Sequence, residues 1–129
     1  MTTNSTLKRG NTVIIGASPN PSRYAYMAAA LLSKHGYAFE PVGIKKGDVF
    51  GKVIQDIQNF PQVPDVDTIT LYIRPELQMQ WASYILSLKP NRIIFNPGTE
   101  NPELEKQANE LGIETIEACT LVMLTTNQY

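Results

Sequence analysis

The sequence predicts an α/β fold: a single doubly wound parallel sheet of about five strands with helices on both faces. Short apolar runs alternate with stretches of helical periodicity along its 129 residues. These runs are rich in β-branched residues, which is typical of strands that are buried on both faces. Strands that alternate with helices pair in parallel through right-handed crossovers, and a chain of this length suits one domain.

The first half of the chain contains two predicted strands around one predicted helix. The strands are residues 13–15 and 38–43. Ser22 is a candidate cap for the helix between them, which is expected to run to about His35. Residues 52–54 are a candidate short strand in a region that is rich in turn residues.

The second half repeats the strand and helix pattern. The predicted strands are residues 67–73, 92–95 and 113–116. Pro75 opens one helix at the favoured first position, and Asn101 caps another in which Pro102 stands first. Residues 121–124 are expected to form a final turn or helix.

Composition and charge narrow the classes of function. A formal net charge of −1 argues against general binding of nucleic acid, which needs a basic field over one face. Cys119 is the single cysteine, so no intramolecular disulfide forms and a cytoplasmic location is expected. No stretch approaches the roughly 20 apolar residues of a membrane span, so no membrane partner is expected. Residues 1–10 are predicted to be a flexible tail before a domain of residues 11–129, and the oligomeric state is left open.

The loop after the first strand is the most informative candidate site. Ligands of such sheets bind beyond the carboxyl ends of the strands, where the strand order reverses. Gly16 allows a sharp turn and close approach of a ligand, and Ser18 follows Ala17 with a hydroxyl. The next helix directs free N–H groups at this place, and Arg23 can form paired hydrogen bonds with a pyrophosphate. The alternative interpretation is a plain turn with a solvated arginine, because the full G-x-G-x-x-G pattern is missing.

The loop after the second strand discriminates between cofactors. NAD-binding domains usually carry an acidic residue here for the ribose hydroxyls, whereas this chain has Lys45 and Lys46. Two lysines suit a ribose that carries a phosphate, either the 3′-phosphate of coenzyme A or the 2′-phosphate of NADP. The alternative is a solvated basic turn.

Two further loops leave strands at the same edge. Ile73 is a candidate contact for an adenine or a pantetheine arm, and Arg74 for a phosphate or carboxylate, just before Pro75. Pro97 and Gly98 form a rigid turn with an open backbone. Read alone, each is also compatible with an ordinary loop.

In order, these motifs resemble the small stand-alone CoA-binding proteins, which are similar to the N-terminal CoA-binding domain of the succinyl-CoA ligase alpha subunit. The likeness extends from about Asn11 to about Cys119 and rests on Gly16-Ala17-Ser18, Pro21, Arg23, Tyr24, Lys45, Arg74-Pro75 and Asn96-Pro97-Gly98. It implies a Rossmann-like domain that binds coenzyme A or an acyl-CoA. By the same resemblance, the Gly-Ala-Ser turn and Arg23 approach the pyrophosphate, Lys45 lies near the adenosine phosphate, and Tyr24 flanks the loop.

The sequence favours a binding protein over an enzyme. His35 is the only histidine, and it falls at the edge of the sheet opposite the candidate site. Cys119 is either a small buried apolar residue or a thiol partner for the cofactor. The preferred hypothesis is therefore non-catalytic binding of coenzyme A, as a sensor or an adaptor. The alternatives are an NADP-binding oxidoreductase-like domain and an interaction module that has lost its ligand.

Overall fold

A six-stranded sheet, in which every pairing is parallel, forms the centre of the computed structural model, which describes residues 9–129. Its strands are β1 (Asn11–Ile15), β2 (Phe39–Gly43), β5 (Gln55–Asp56), β6 (Val66–Leu71), β7 (Arg92–Phe95) and β8 (Glu114–Glu117). Two other short strands, β3 (Asp48–Val49) and β4 (Lys52–Val53), form a separate antiparallel hairpin. The predicted fold class is confirmed, with one strand more than expected.

The additional strand lies in the segment that the sequence described least well. The candidate strand at residues 52–54 forms as β4, but it pairs with β3 and does not join the main sheet. The edge of the sheet is instead β5, which pairs with Val42 and Gly43. A strand of two residues has no periodicity of its own, so only its tertiary partner identifies it.

The register of the sheet brings four strand ends into line. The strand order is β5-β2-β1-β6-β7-β8, so the chain reverses direction across the sheet between β1 and β6. Ile15 of β1 stands opposite both Val42 of β2 and Leu71 of β6, and Leu71 stands opposite Phe95 of β7. The loops that follow these residues consequently begin side by side at one edge.

Helices cover both faces of the sheet. They are α1 (Tyr24–Lys34), α2 (Pro75–Gln78), α3 (Ala82–Ser87), α4 (Pro102–Glu110) and α5 (Thr120–Thr125). The alternation of β1 shows how the faces are divided. Val13 and Ile15 pack in the core beneath α3 and α4, whereas Ile14 packs in the core beneath α1 and α5.

Three predicted boundaries are corrected. Helix α1 begins at Tyr24, and the proposed Ser22 cap is wrong because the Ser22 hydroxyl donates to Oδ1 of Asn20 at 2.9 Å. The sheet pairing of β6 ends at Leu71, two residues before the predicted end. The helix that opens at Pro75 is interrupted by a 3-10 turn at Met79–Trp81 before α3 begins.

Part of the predicted tail contacts the domain. Residues 1–8 lie outside the described residues, but Nη1 of Arg9 lies 3.0 Å from Oδ2 of Asp67. Burial opposes ionisation of Asp67, yet hydrogen bonds from Asn91, Thr68 and Arg9 outweigh it and hold the pKa of this carboxyl below its usual value. Between residues 9 and 129, no helix is long and apolar enough to span a bilayer.

Candidate functional site

A crevice of about 360 Å³ opens at the carboxyl ends of β1, β6 and β7. This is the point where the strand order reverses, which is the usual ligand site of an open parallel sheet. Among its lining residues are six that the sequence singled out: Gly16, Arg23, Tyr24, Arg74, Pro97 and Gly98. Four others were not anticipated: Ser22, Ala25, Tyr72 and Thr99.

Gly16 forms the floor of the crevice where β1 ends. Its φ of +95° lies in a region that side chains rarely adopt. A Cβ here would lie 2.9 Å from the backbone carbonyl atoms of Tyr72 and 2.9 Å from Cγ2 of Ile73. The loops after β1 and β6 therefore meet closely only because this residue has no side chain.

Ala17 and Ser18 lie behind the crevice and shape its loop. Ala17 is buried in the core beneath α1, and its amide donates to the carbonyl of Val42 at 3.1 Å. Ser18 is also buried, and its Oγ accepts a hydrogen bond from the amide of Asn20 at 3.1 Å. The end of β2 can approach this loop closely because Gly43 has no side chain. A Cβ there would stand 3.1 Å from the Ala17 amide nitrogen.

The first turn of α1 presents its amino end to the crevice. Arg23 is the N-cap residue, with extended backbone, and no side chain caps this end of the helix. Tyr24 and Ala25, the first two helical residues, line the crevice. Uncapped N–H groups and the helix dipole together favour an anion at this place.

Two arginines from different loops line the crevice. Arg23 belongs to the loop after β1, and Arg74 is the N-cap residue of α2, just before Pro75. Both are exposed, and neither forms an ion pair with any residue between 9 and 129. Ile73, which precedes Arg74, is partly buried, packs against the core and is not among the residues that line the crevice. The crevice thus has two guanidinium groups without an ion pair in the described part of the chain, and the Glu100 carboxylate lies at its Gly98 side, where Oε1 accepts from the Gly98 amide at 2.9 Å.

Lys45 lies outside the crevice, two residues beyond the end of β2. It is exposed in a turn with Lys46. Lys45 follows β2 and Gly16 follows β1, and these two neighbouring strands are about 4.8 Å apart. The lysines therefore lie on the β2 side of the phosphate loop, at the same edge of the sheet.

The buried side chain of Gln78 joins the loops that flank the crevice. Its Nε2 donates to the carbonyls of Ile73, at 2.9 Å, and Thr99, at 2.7 Å. Its Oε1 accepts from Nδ2 of Asn101 at 3.0 Å, and Asn101 in turn caps α4. One amide thus holds the Arg74 loop and the Gly98 loop in a fixed relation.

Asn96 performs the same role deeper in the fold. Its Nδ2 donates to Oγ1 of Thr70 at 2.7 Å and to the carbonyl of Leu71 at 2.8 Å. Its Oδ1 accepts from the amide of Thr120 at 2.8 Å. All the polar atoms of this buried side chain are satisfied, so the loop that leads to Pro97 is anchored to β6 and α5.

Tyr72 is the lining residue that sequence reasoning missed with most consequence. Burial raises the pKa of its hydroxyl to about 12. The Thr70 and Thr120 hydroxyls, which are bonded to each other at 2.8 Å, lie close enough to oppose that shift in part. Its position in the sequence could have indicated this role, because Tyr72 directly follows the last residue of β6 as Gly16 follows β1 and Asn96 follows β7.

Two other residues considered from the sequence lie away from the crevice. His35 is the C-cap residue of α1, at the far end of the helix from Arg23. Cys119 is half-buried at the start of α5 and lines a smaller space that adjoins the crevice.

The fold and this site define a Rossmann-like nucleotide-binding domain. Residues 10–125 match the sequence profile described as "CoA binding domain", and the chain belongs to that family. No curated protein matches this chain.

Solved structures share this fold. An uncharacterized protein is 53% identical, with a TM-score of 0.90 over 94% of this chain and 98% of its own. The protein "cell-free ID.343" from Thermus thermophilus is 25% identical, with a TM-score of 0.80 over 94% of this chain and 91% of its own. A dinucleotide-forming acetyl-coenzyme A synthetase from Ca. Korarchaeum cryptofilum shares the fold, at 17% identity and a TM-score of 0.67 over 91% of this chain and 27% of its own.

Proposed function

We propose that this protein binds coenzyme A or an acyl-CoA in the crevice and does so without catalysing a reaction, as a sensor or an adaptor. The observation that carries the proposal is that two arginines without an ion pair among the described residues, Arg23 and Arg74, line the same crevice as an uncapped helix end. A pyrophosphate carries two adjacent negative charges, and guanidinium groups bind phosphate with paired hydrogen bonds. The membership of the chain in a CoA-binding family supports the choice of ligand.

The order of the strands supports a direction for the ligand. Lys45 follows β2, Gly16 follows β1, Arg74 follows β6 and Gly98 follows β7, and these strands are successive neighbours. An extended ligand along this edge would pass from a ribose phosphate near Lys45 to a pyrophosphate at Gly16. Its pantetheine arm would then cross β6 and β7.

The chemistry of the lining residues supports binding without catalysis. The residues that line the crevice itself include no carboxylate or imidazole that would serve as a general base, and the Cys119 thiol lies in the adjoining smaller space. Nor does any group of three His, Cys, Asp or Glu side chains within residues 9–129 form a potential metal site.

A thermal-shift panel tests this function. The protein is heated with coenzyme A, acetyl-CoA, dephospho-CoA, NADPH or ADP, each over a range of concentrations. At a hundredfold excess over its Kd, a ligand should raise the free energy of unfolding by about 2.7 kcal/mol, which corresponds to a melting shift of about 10 °C. We expect coenzyme A to act at the lowest concentration and dephospho-CoA to be weaker, because it lacks the 3′-phosphate.

Two outcomes would contradict the proposal. A larger effect of NADPH than of coenzyme A would favour the oxidoreductase-like alternative, and no shift with any compound would favour an interaction module. The non-catalytic part is checked by incubating acetyl-CoA with the protein and assaying free thiol. We expect no release above the rate in buffer.

A further inference from the structure

A second, smaller space branches from the crevice at its β7 and β8 side. This side chamber has a volume of about 230 Å³ and is lined by Tyr24, Tyr72, Asn96, Pro97, Cys119 and Leu121. Three of these residues, Tyr24, Tyr72 and Pro97, also line the crevice, so the two spaces adjoin. The chamber walls are mostly apolar, in contrast to the crevice with its two arginines.

The strand order places the side chamber at the far end of the proposed ligand. Lys45 follows β2 and Cys119 follows β8, and these strands are four inter-strand spacings apart, or roughly 19 Å. If the ribose phosphate lies near Lys45 and the pyrophosphate at Gly16, the thiol end of the ligand reaches β7 and β8. This argument rests on the proposed function.

We infer that the side chamber holds the acyl group of a short-chain acyl-CoA. An apolar cavity of about 150 Å³ is large enough for benzene, so a chamber of about 230 Å³ accepts an acyl group of several carbons. Free coenzyme A would leave these apolar walls exposed to water. The chamber therefore makes a short apolar acyl thioester the preferred form of the ligand.

Tyr72 forms a wall that the two spaces share. Its hydroxyl is inaccessible to solvent and lies near the fully buried Thr70 and Thr120 hydroxyls. The part of Tyr72 that lines the chamber is therefore its aromatic ring, which is a suitable contact for an apolar acyl group.

The test compares the dissociation constants of coenzyme A, acetyl-CoA, butyryl-CoA and octanoyl-CoA by calorimetry. Butyryl-CoA has two methylene groups more than acetyl-CoA, and burial of each of them should tighten binding about three- to fourfold. The gain should level off at octanoyl-CoA, because the chamber is then full. Leu121→Trp fills the chamber and should remove the preference for butyryl-CoA over coenzyme A, whereas Leu121→Ala should extend the gain to octanoyl-CoA.

The matched control is Val122→Ala, since Val122 is the exposed neighbour of Leu121 and does not line the chamber. It should leave every ratio unchanged, and melting temperatures show that each variant folds. Equal affinity for all four compounds, or equal effects of the Leu121 variants on coenzyme A and butyryl-CoA, would overturn the inference. Failure of coenzyme A itself to bind the unaltered protein would instead refute the proposed function.

Discussion

Gly16→Ala should lower the free energy of unfolding by about 2–5 kcal/mol and abolish ligand binding. The φ of +95° accounts for about 1–2 kcal/mol of this loss, since an alanine is strained there. Overpacking accounts for about 1–3 kcal/mol more, because the new Cβ would lie 2.9 Å from the backbone carbonyl atoms of Tyr72. The loop after β6 must move to relieve this contact, and it carries Arg74. The measurement is the urea unfolding midpoint together with a coenzyme A titration.

Gly112→Ala is the matched control for this effect. Gly112 has a φ of +80°, but no atom lies within 4 Å of the position its Cβ would take. It therefore reports the backbone strain without the collision, and we expect a loss of only about 1–2 kcal/mol. Equal losses for the two variants would show that close approach of the loops is not what requires Gly16.

Removal of the positive charges should weaken binding strongly and leave the fold intact. A hydrogen bond to a charged group contributes about 1.5–3 kcal/mol. The double variant Arg23→Ala, Lys45→Ala should therefore bind coenzyme A about a hundred- to ten-thousandfold more weakly. It should also show no thermal shift with this ligand. Both side chains are exposed, so the melting temperature without ligand should change little.

Dephospho-CoA separates the two roles. Arg23→Ala should weaken coenzyme A and dephospho-CoA equally if Arg23 binds the pyrophosphate. Lys45→Ala should weaken only coenzyme A if Lys45 binds the 3′-phosphate. Lys34→Ala, at the opposite end of α1 from Arg23, is the control and should have no effect on either ligand. Unchanged affinity in the double variant would refute the site.

The convergence of the site loops could be predicted because it follows from local signals. Parallel strands end at one edge, and Gly16, Pro75 and Gly98 mark the turns that leave them. Six of the predicted residues consequently line one crevice. The ligand-binding roles of these six residues, like those of Ala17, Ser18 and Lys45, remain predictions for the ligand experiments.

The remaining features depend on contacts that are distant in sequence. Tyr72 enters the crevice because the register aligns Leu71 with Ile15, and no local pattern specifies that register. Strand β5 exists only through its pairing with β2. Ser22 is of a residue type that often caps helices. Its amide and its hydroxyl both donate to Oδ1 of Asn20 instead, and the helix begins two residues later, at Tyr24.

An NMR titration with coenzyme A tests the central claim most directly, because it locates the ligand residue by residue. We expect the largest changes in amide chemical shift at Gly16, Tyr24, Ala25 and Gly98, which line the crevice. The groove of about 350 Å³ around Asn91, Gly112 and Ile113, at the opposite edge of the sheet, should show none. Changes concentrated in that groove, or no changes at saturating coenzyme A, would contradict the account.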